Sequence, residues 1–180
     1  MGYLTLNPLR YANPLLSIIM PLLFLALGGI GFPGGAVYVR TENLRNKAWR
    51  AAVSAAGPAM NLLCLIAIAI ALRFVRPDTP IAGGLAFLGF LQATAVLLNL
   101  LPVPGLDGFG MLQSILPDSE REAFAPISNF MWVAFLVVIY AAPELLQPVW
   151  QVALKLCGLA GIDVDTIQQG SDLFQFWDPH

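Results

Sequence analysis

Charged residues are scarce in this chain. Only 11% of its 180 residues are Asp, Glu, Lys or Arg, whereas 58% are hydrophobic. Soluble domains usually carry about a quarter charged residues, so the composition excludes an ordinary soluble domain and predicts an integral membrane protein in contact with the lipid bilayer. The net charge of −2 excludes the basic surface that a nucleic-acid partner would need.

Histidine and cysteine are also rare. The one histidine is His180, the last residue, so the chain has no pair of imidazoles that can hold a metal ion. The two cysteines, Cys64 and Cys157, lie in apolar stretches. We interpret both as small core residues rather than as a disulfide or a metal-binding pair.

The chain has four long uncharged runs instead. They lie between Arg10 and Arg40, Arg50 and Arg73, Asp78 and Asp107, and Glu122 and Glu144. Each is about 20 residues or longer, the length that an α-helix needs to cross a hydrocarbon core of about 30 Å. The sequence therefore predicts an all-α polytopic membrane protein with about four transmembrane helices.

The first uncharged run is not uniform, because its composition changes at residue 28. Residues 28–35 (GGIGFPGG) cannot continue a helix, and residues 36–39 (AVYV) have the β-branched and aromatic composition of a short strand. We expect a helix, then a glycine-rich break, then a short re-entrant strand-like segment at or in the membrane. An ordinary exit loop is the alternative.

The C-terminal part differs from the four runs. Residues 145–156 (LLQPVWQVALKL) have apolar positions at helical spacing with Lys155 among them, which favours an interfacial amphipathic helix over a fifth crossing. The acids after residue 162 indicate a solvated end. We therefore divide the chain into a membrane core, residues 1–143, and an interfacial helix with a polar tail, residues 144–180.

A single carboxylate stands out at the end of the third run. Asp107 belongs to residues 99–108 (NLLPVPGLDG), in which prolines and glycines prevent a regular helix. An acid beside such a run is costly to desolvate, which makes it a functional candidate, and its oxygens are hard ligands suited to zinc. The alternative is that Asp107 simply caps a helix beginning at Gly108, because aspartate is a favoured N-cap residue.

A second polar position lies inside the second run. Asn61 ends residues 54–61 (SAAGPAMN), whose small side chains let neighbouring helices approach closely and whose Pro58 frees a backbone carbonyl. Asn61 can donate a hydrogen bond to a bound peptide or to an oxyanion. Helix packing with a satisfied amide is the simpler alternative.

Four segments together resemble the site-2 protease family of intramembrane zinc metalloproteases, peptidase family M50. They are residues 2–10 (GYLTLNPLR), 43–45 (NLR), 56–61 (AGPAMN) and 99–108, in the family's order and at compatible spacings. The last is the most specific, because it resembles the family's Asp-Gly motif. The resemblance implies cleavage of transmembrane segments of membrane-anchored substrate proteins, in the inner membrane of a bacterium.

The resemblance also implies roles for individual residues. Asp107 would be a ligand of Zn²⁺, and Asn61 would steady the substrate or the oxyanion. The glycine-rich extended segment, residues 32–39, resembles the part that in this family lies beside the substrate and pairs with it as a strand. The implied substrate-binding residues are Asn61, Gly34, Gly35, Val37 and Val39.

One part of the family pattern is missing. In this family a helix upstream of the first matching segment carries His-Glu-x-x-His, which supplies two zinc ligands and the catalytic base, and the chain contains no such motif. A catalytic zinc needs three protein ligands and an open position for water. We therefore expect the chain as it stands not to hydrolyse peptide bonds.

Two explanations are open for the missing motif. Met1 is an internal methionine with the zinc helix just upstream, or the chain is a pseudoprotease, a non-catalytic membrane scaffold that binds transmembrane helices. A fragment of a transporter is a further alternative, since transporters also use broken helices and polar residues at membrane depth.

Overall fold

The computed structural model describes residues 46–117, 130–131, 134–135, 137–138 and 141–174, all within one compact unit, Leu44–His180. Within that part the chain is helical and contains no strand. The five α-helices that have defined bounds there are α1 (Lys47–Leu72), α2 (Pro80–Asn99), α3 (Asp107–Ile115), α4 (Gln147–Leu159) and α5 (Val164–Phe174), and a 3₁₀ turn, Pro143–Leu146, precedes α4. The strand-like segment expected at residues 32–39 lies outside the described residues.

Helices α1 and α2 are the two uncharged runs that the structure describes. Each begins at a polar cap: the Asn46 side chain accepts a hydrogen bond from the Trp49 backbone N–H at 3.0 Å, and the Thr79 hydroxyl accepts one from the Ala82 N–H at 3.2 Å. Such caps satisfy amide groups that have no partner in the first turn. Both helices are long and apolar enough to cross a membrane.

The described residues contain two candidate membrane crossings, or three if a bent pair of helices counts as one. Helices α4 and α5 are each too short to cross alone, and they pass the same test only as a pair, which is bent by 119° at the break between them. That pair is a broken span or a re-entrant loop. The remaining predicted crossings, in the first and fourth uncharged runs, fall mostly or wholly outside the described residues, so four crossings stay a prediction.

The core lies where α1, α2 and α4 meet. Small side chains on one face of α2, including Ala86 and Ala93, pack with Leu65 and Ile68 of α1 and with Cys157 of α4. Small residues at such a face bring helix axes close, which gives van der Waals contact that lipid cannot match. Both cysteines are free thiols, and Cys157 is fully buried, as predicted for a core residue, whereas Cys64 is only half-buried.

The end of the chain is not the solvated tail that we expected after residue 162. Helix α5 packs on α2, where the backbones of Gly83 and Gly170 meet and the rings of Phe87 and Phe174 lie 5.5 Å apart. The acids of this stretch lie on the exposed side of α5 and at the turn before it. The expectation was wrong for residues 164–174 because Gly170, a residue with no side chain, forms much of the buried face. The division at residues 143 and 144 stays a prediction.

Candidate functional site

The connection between α2 and α3, residues 100–106, is shaped by its prolines and glycines. Gly105 has a φ of 93°, a left-handed conformation that favours glycine, and the Leu106 N–H donates to the Val103 carbonyl at 3.0 Å. A side chain at Gly108 would overlap the Leu100 carbonyl and lie 2.6 Å from the Leu101 carbonyl oxygen. The Asp-Gly pair therefore needs its glycine so that α3 can begin directly against the preceding turn.

Asp107 is the first residue of α3 and does not cap it. The N-cap position is Leu106, which has no side-chain cap hydrogen bond, and the helix begins at Asp107 itself. The alternative that Asp107 serves only as the N-cap of a helix beginning at Gly108 is therefore wrong. Asp107 lies in the first turn, where the helix dipole favours a carboxylate.

The Asp107 carboxylate lies against Gly57 of α1. A Cβ atom placed on Gly57 would overlap Oδ2 of Asp107 and lie 3.2 Å from its Cγ. The carboxylate thus occupies the volume that any other residue at position 57 would fill with its side chain. We call this space the Gly57 niche. It is open on one side, since Gly57 is exposed and Asp107 is half-buried.

Two further contacts fix how α1 and α3 lie together. Gly110 packs on Ser54, whose Oγ lies 2.5 Å from where a Gly110 Cβ would be, and Lys47 Nζ donates to the Leu116 carbonyl at 3.4 Å. The pairs 47 with 116, 54 with 110 and 57 with 107 run in opposite directions along the two segments, so the helices are antiparallel. Small residues on both helices, Ser54 and Gly57 on α1 and Gly110 on α3, permit this close approach.

Asn61 lies on the same face of α1 as the niche. Ser54, Gly57 and Asn61 follow the spacing of three and four residues that aligns side chains along one side of a helix. Asn61 is half-buried, one turn beyond Gly57. The structure therefore brings the 56–61 segment and the 99–108 segment to one place. Gly34, Gly35, Val37 and Val39 lie outside the described residues.

The Asp107 carboxyl is partly removed from water, which determines the electrostatics of the site. This residue lies outside both candidate membrane-spanning helices, and burial raises the pKa of its carboxyl above the usual range. Loss of water disfavours the charged form, and a bound cation would reverse that effect. Further along the same face of α1, the buried Nε of Arg50 has no hydrogen-bond partner among the described residues.

The residues at the niche fit one ligand of a zinc ion and no more. A carboxylate held in a space that a Cβ would fill is a fixed oxygen donor of the kind zinc accepts. A complete zinc site needs two more protein ligands. Across residues 46–117 and the described residues after them, no group of three or more His, Cys, Asp or Glu is placed to hold a metal ion.

Sequence reasoning identified residues 54–61 as a surface for close helix approach, and it missed that Gly57 and Ser54 face Asp107 and Gly110. Gly57 and Gly110 have no side chain, so a search for reactive groups passes over them. The available signal was the matched spacing: Ser54 and Gly57 are three residues apart, as are Asp107 and Gly110. Positions three residues apart lie on one face of a helix, so equal spacing on two helices is compatible with a shared contact face.

Comparison with known proteins identifies relatives across almost the whole chain. "Putative zinc metalloprotease Rip2" of Mycolicibacterium smegmatis is 42% identical over 178 residues, 98% of this chain and 68% of that protein. The protein of that name from Mycobacterium tuberculosis is 46% identical over the same shares. "Putative zinc metalloprotease YwhC" of Bacillus subtilis is 25% identical over 76% of this chain and 64% of that protein. No family model and no solved structure matches the chain.

Proposed function

The chain belongs to the site-2 protease family, and from this premise we propose that it contributes the aspartate ligand and substrate-binding surface of an intramembrane zinc metalloendopeptidase. Its substrates are transmembrane segments of membrane-anchored proteins. Its membrane is the bacterial inner membrane, crossed by about four helices of this chain. The sequence lacks the His-Glu-x-x-His motif, so the chain as it stands does not complete the reaction alone.

One observation carries the proposal: the Asp107 carboxylate lies in the Gly57 niche. Gly57 and Asp107 are fifty residues apart in sequence, each belongs to a segment that resembles a motif of the family, and the two residues meet there in space. Gly57 lies opposite the only acid of the 99–108 segment. Close contact between the two motifs supports a common role for them.

The residues at this site have distinct roles in the proposal. Zinc, when bound, polarises the scissile carbonyl and lowers the pKa of a water molecule toward about 7. Asp107 holds the metal from the α3 side. The amide of Asn61 donates a hydrogen bond to the substrate backbone or to the oxyanion. Residues 32–39, with Gly34, Gly35, Val37 and Val39, pair with an unwound substrate as an edge strand.

A non-catalytic role is the second candidate. Among the described residues, no group of three or more His, Cys, Asp or Glu is placed to hold a metal ion. This observation favours a pseudoprotease, a scaffold that binds transmembrane helices without cutting them. The two candidates differ in whether the niche holds a metal once two imidazole ligands are present.

A cleavage assay tests the proposal. The chain is expressed in bacterial membranes with a membrane-anchored reporter, alone and joined to an N-terminal helix that carries His-Glu-x-x-His. We expect cleavage only with the added helix, loss of cleavage with Asp107→Ala, and retention with Asp78→Ala, which removes an exposed acid in the turn between α1 and α2. Cleavage that survives Asp107→Ala would contradict the assignment, and no cleavage by any form would favour the scaffold.

A further inference from the structure

Gly57 differs from Gly83 and Gly89, two other close-packed glycines in the described helices. The nearest atoms to a Cβ at Gly83 are backbone atoms of α5, and those at Gly89 are apolar side-chain atoms. At Gly57 the three nearest heavy atoms all belong to the carboxyl group of Asp107. The space left by the absence of a side chain at Gly57 is therefore filled by the Asp107 carboxyl group and not by the backbone of a neighbouring helix.

We propose that Gly57 is a positioning residue, which fixes the direction of the Asp107 carboxylate by leaving the space that it occupies. The inference rests on the proposed function of Asp107 as a metal ligand. Gly57 touches neither metal nor substrate in this account. Because position 57 has no side chain, Asp107 can adopt the side-chain conformation in which its carboxylate contacts α1.

The physical reason is steric. Aspartate has few side-chain conformations, and in a helix its χ1 choices are further limited by the preceding turn. A methyl group at position 57 excludes the observed conformation, because it overlaps Oδ2 and crowds Cγ at 3.2 Å. The carboxyl must then rotate away from α1. Zinc–oxygen bonds of about 2.0–2.2 Å leave little tolerance for a displaced ligand.

A coupling measurement on the chain without metal tests the steric step. Melting temperatures are compared for Gly57→Ala in the wild-type chain and in the Asp107→Ala chain, in detergent. We expect Gly57→Ala to lower the melting temperature by about 2–4 °C in the wild-type chain and to lower it not at all once Asp107 is alanine. Gly84→Ala is the matched control, since Gly84 lies in α2 with nothing within 4 Å of its Cβ position. Equal shifts in both backgrounds, or no shift in either, would overturn the proposal.

A carboxyl-specific readout separates positioning from general packing. A hydrophobic carbodiimide labels protonated carboxyl groups, and peptide mapping gives the labelling of Asp107 relative to exposed Asp78 in the same sample. We expect this ratio to change in Gly57→Ala and to stay constant in Gly84→Ala. A ratio that is the same in all three proteins would show that the carboxylate has not moved, and would reject the inference.

Both measurements are made without zinc, so their results test the role of Gly57 independently of whether Asp107 binds a metal ion. If Asp107 binds no metal in the extended chain, the coupling between positions 57 and 107 can still be present, and only the function is lost. If Asp107 binds zinc but Gly57→Ala shows neither coupling nor altered labelling, the function stands and this inference is wrong. If both hold, we expect Gly57→Ala to weaken zinc binding by about 10–100-fold, as for other residues that orient metal ligands.

Discussion

Two helix contacts in this molecule use glycine in the same way and for different ends. Where α5 meets α2, Gly170 brings its backbone onto Gly83, and the rings of Phe87 and Phe174 pack beside them. Where α3 meets α1, the Asp107 carboxylate occupies the space that a side chain at position 57 would fill. The first contact is apolar and joins two backbones. The second leaves a polar group half-buried at an open niche.

The difference between the two contacts is the group that occupies the space beside the glycine. Glycine lets two helices approach in both places, which is a general device in membrane proteins. Of the two contacts, only the α1–α3 contact sets a titratable side chain, that of Asp107, directly against the glycine. Changes at Gly170 should therefore affect stability, whereas changes at Gly57 should affect what Asp107 can do.

The largest effect is expected from Gly170→Ala. Its Cβ would overlap the Gly83 carbonyl oxygen and lie 2.6 Å from the carbonyl carbon, and backbone atoms cannot rotate away. Overpacking of this kind costs about 1–3 kcal/mol, so we expect a clear fall in the melting temperature. Gly158→Ala is the control, because its Cβ meets nothing within 4 Å. A Gly170→Ala protein as stable as the control would mean that α5 does not pack on α2 as described.

An engineered pair of cysteines tests the geometry of the α1–α3 contact. In a chain with Cys64 and Cys157 replaced by alanine, Gly57→Cys and Asp107→Cys should form a disulfide on mild oxidation. The Cγ of Asp107 lies 3.2 Å from the Gly57 Cβ position, close to the separation between Cβ and the far sulfur of a disulfide. The measurement is the mass of the linked peptides after proteolysis. Pairing Gly84→Cys with Asp107→Cys should give no link, and a link there would undermine the specificity of the result.

The smallest effect is expected from Gly110→Ala. The nearest atom to its Cβ would be Ser54 Oγ at 2.5 Å, a hydroxyl that can rotate to another staggered position. We expect a loss of stability below about 1 kcal/mol, measured by thermal unfolding. Ser54→Ala should relieve part of it, although Ser54 Cβ remains 3.2 Å away. A loss as large as that of Gly170→Ala would show that the α1–α3 contact is as rigid as the α2–α5 contact.

The described helices α1 and α2 follow from the pattern of charge along the sequence. A long uncharged run predicts a helix because a segment in lipid must hydrogen-bond its own backbone groups. The prolines and glycines around Asp107 predict the break before α3. The packed α5 could not be predicted in the same way. Its buried face depends on Ile167 and on Gly170, and a glycine adds nothing to a hydrophobic pattern.

The candidate site was predictable in its parts and not in its arrangement. A resemblance to the family's motifs identified Asp107 and Asn61 separately. That the Asp107 carboxylate fills the space at Gly57 depends on the register of two antiparallel helices, which no local pattern specifies. An absent side chain gives no signal until the neighbouring helix is in place.

Zinc content is the most direct test of the central claim. The chain is purified in detergent after being joined to a helix that carries His-Glu-x-x-His, and the metal-to-protein ratio is measured for the wild-type and Asp107→Ala forms. The account predicts about one zinc per chain, lost in Asp107→Ala, because the three protein ligands that zinc needs are then reduced to two. Equal zinc in both forms would contradict it, since the carboxylate in the Gly57 niche would then not be a ligand.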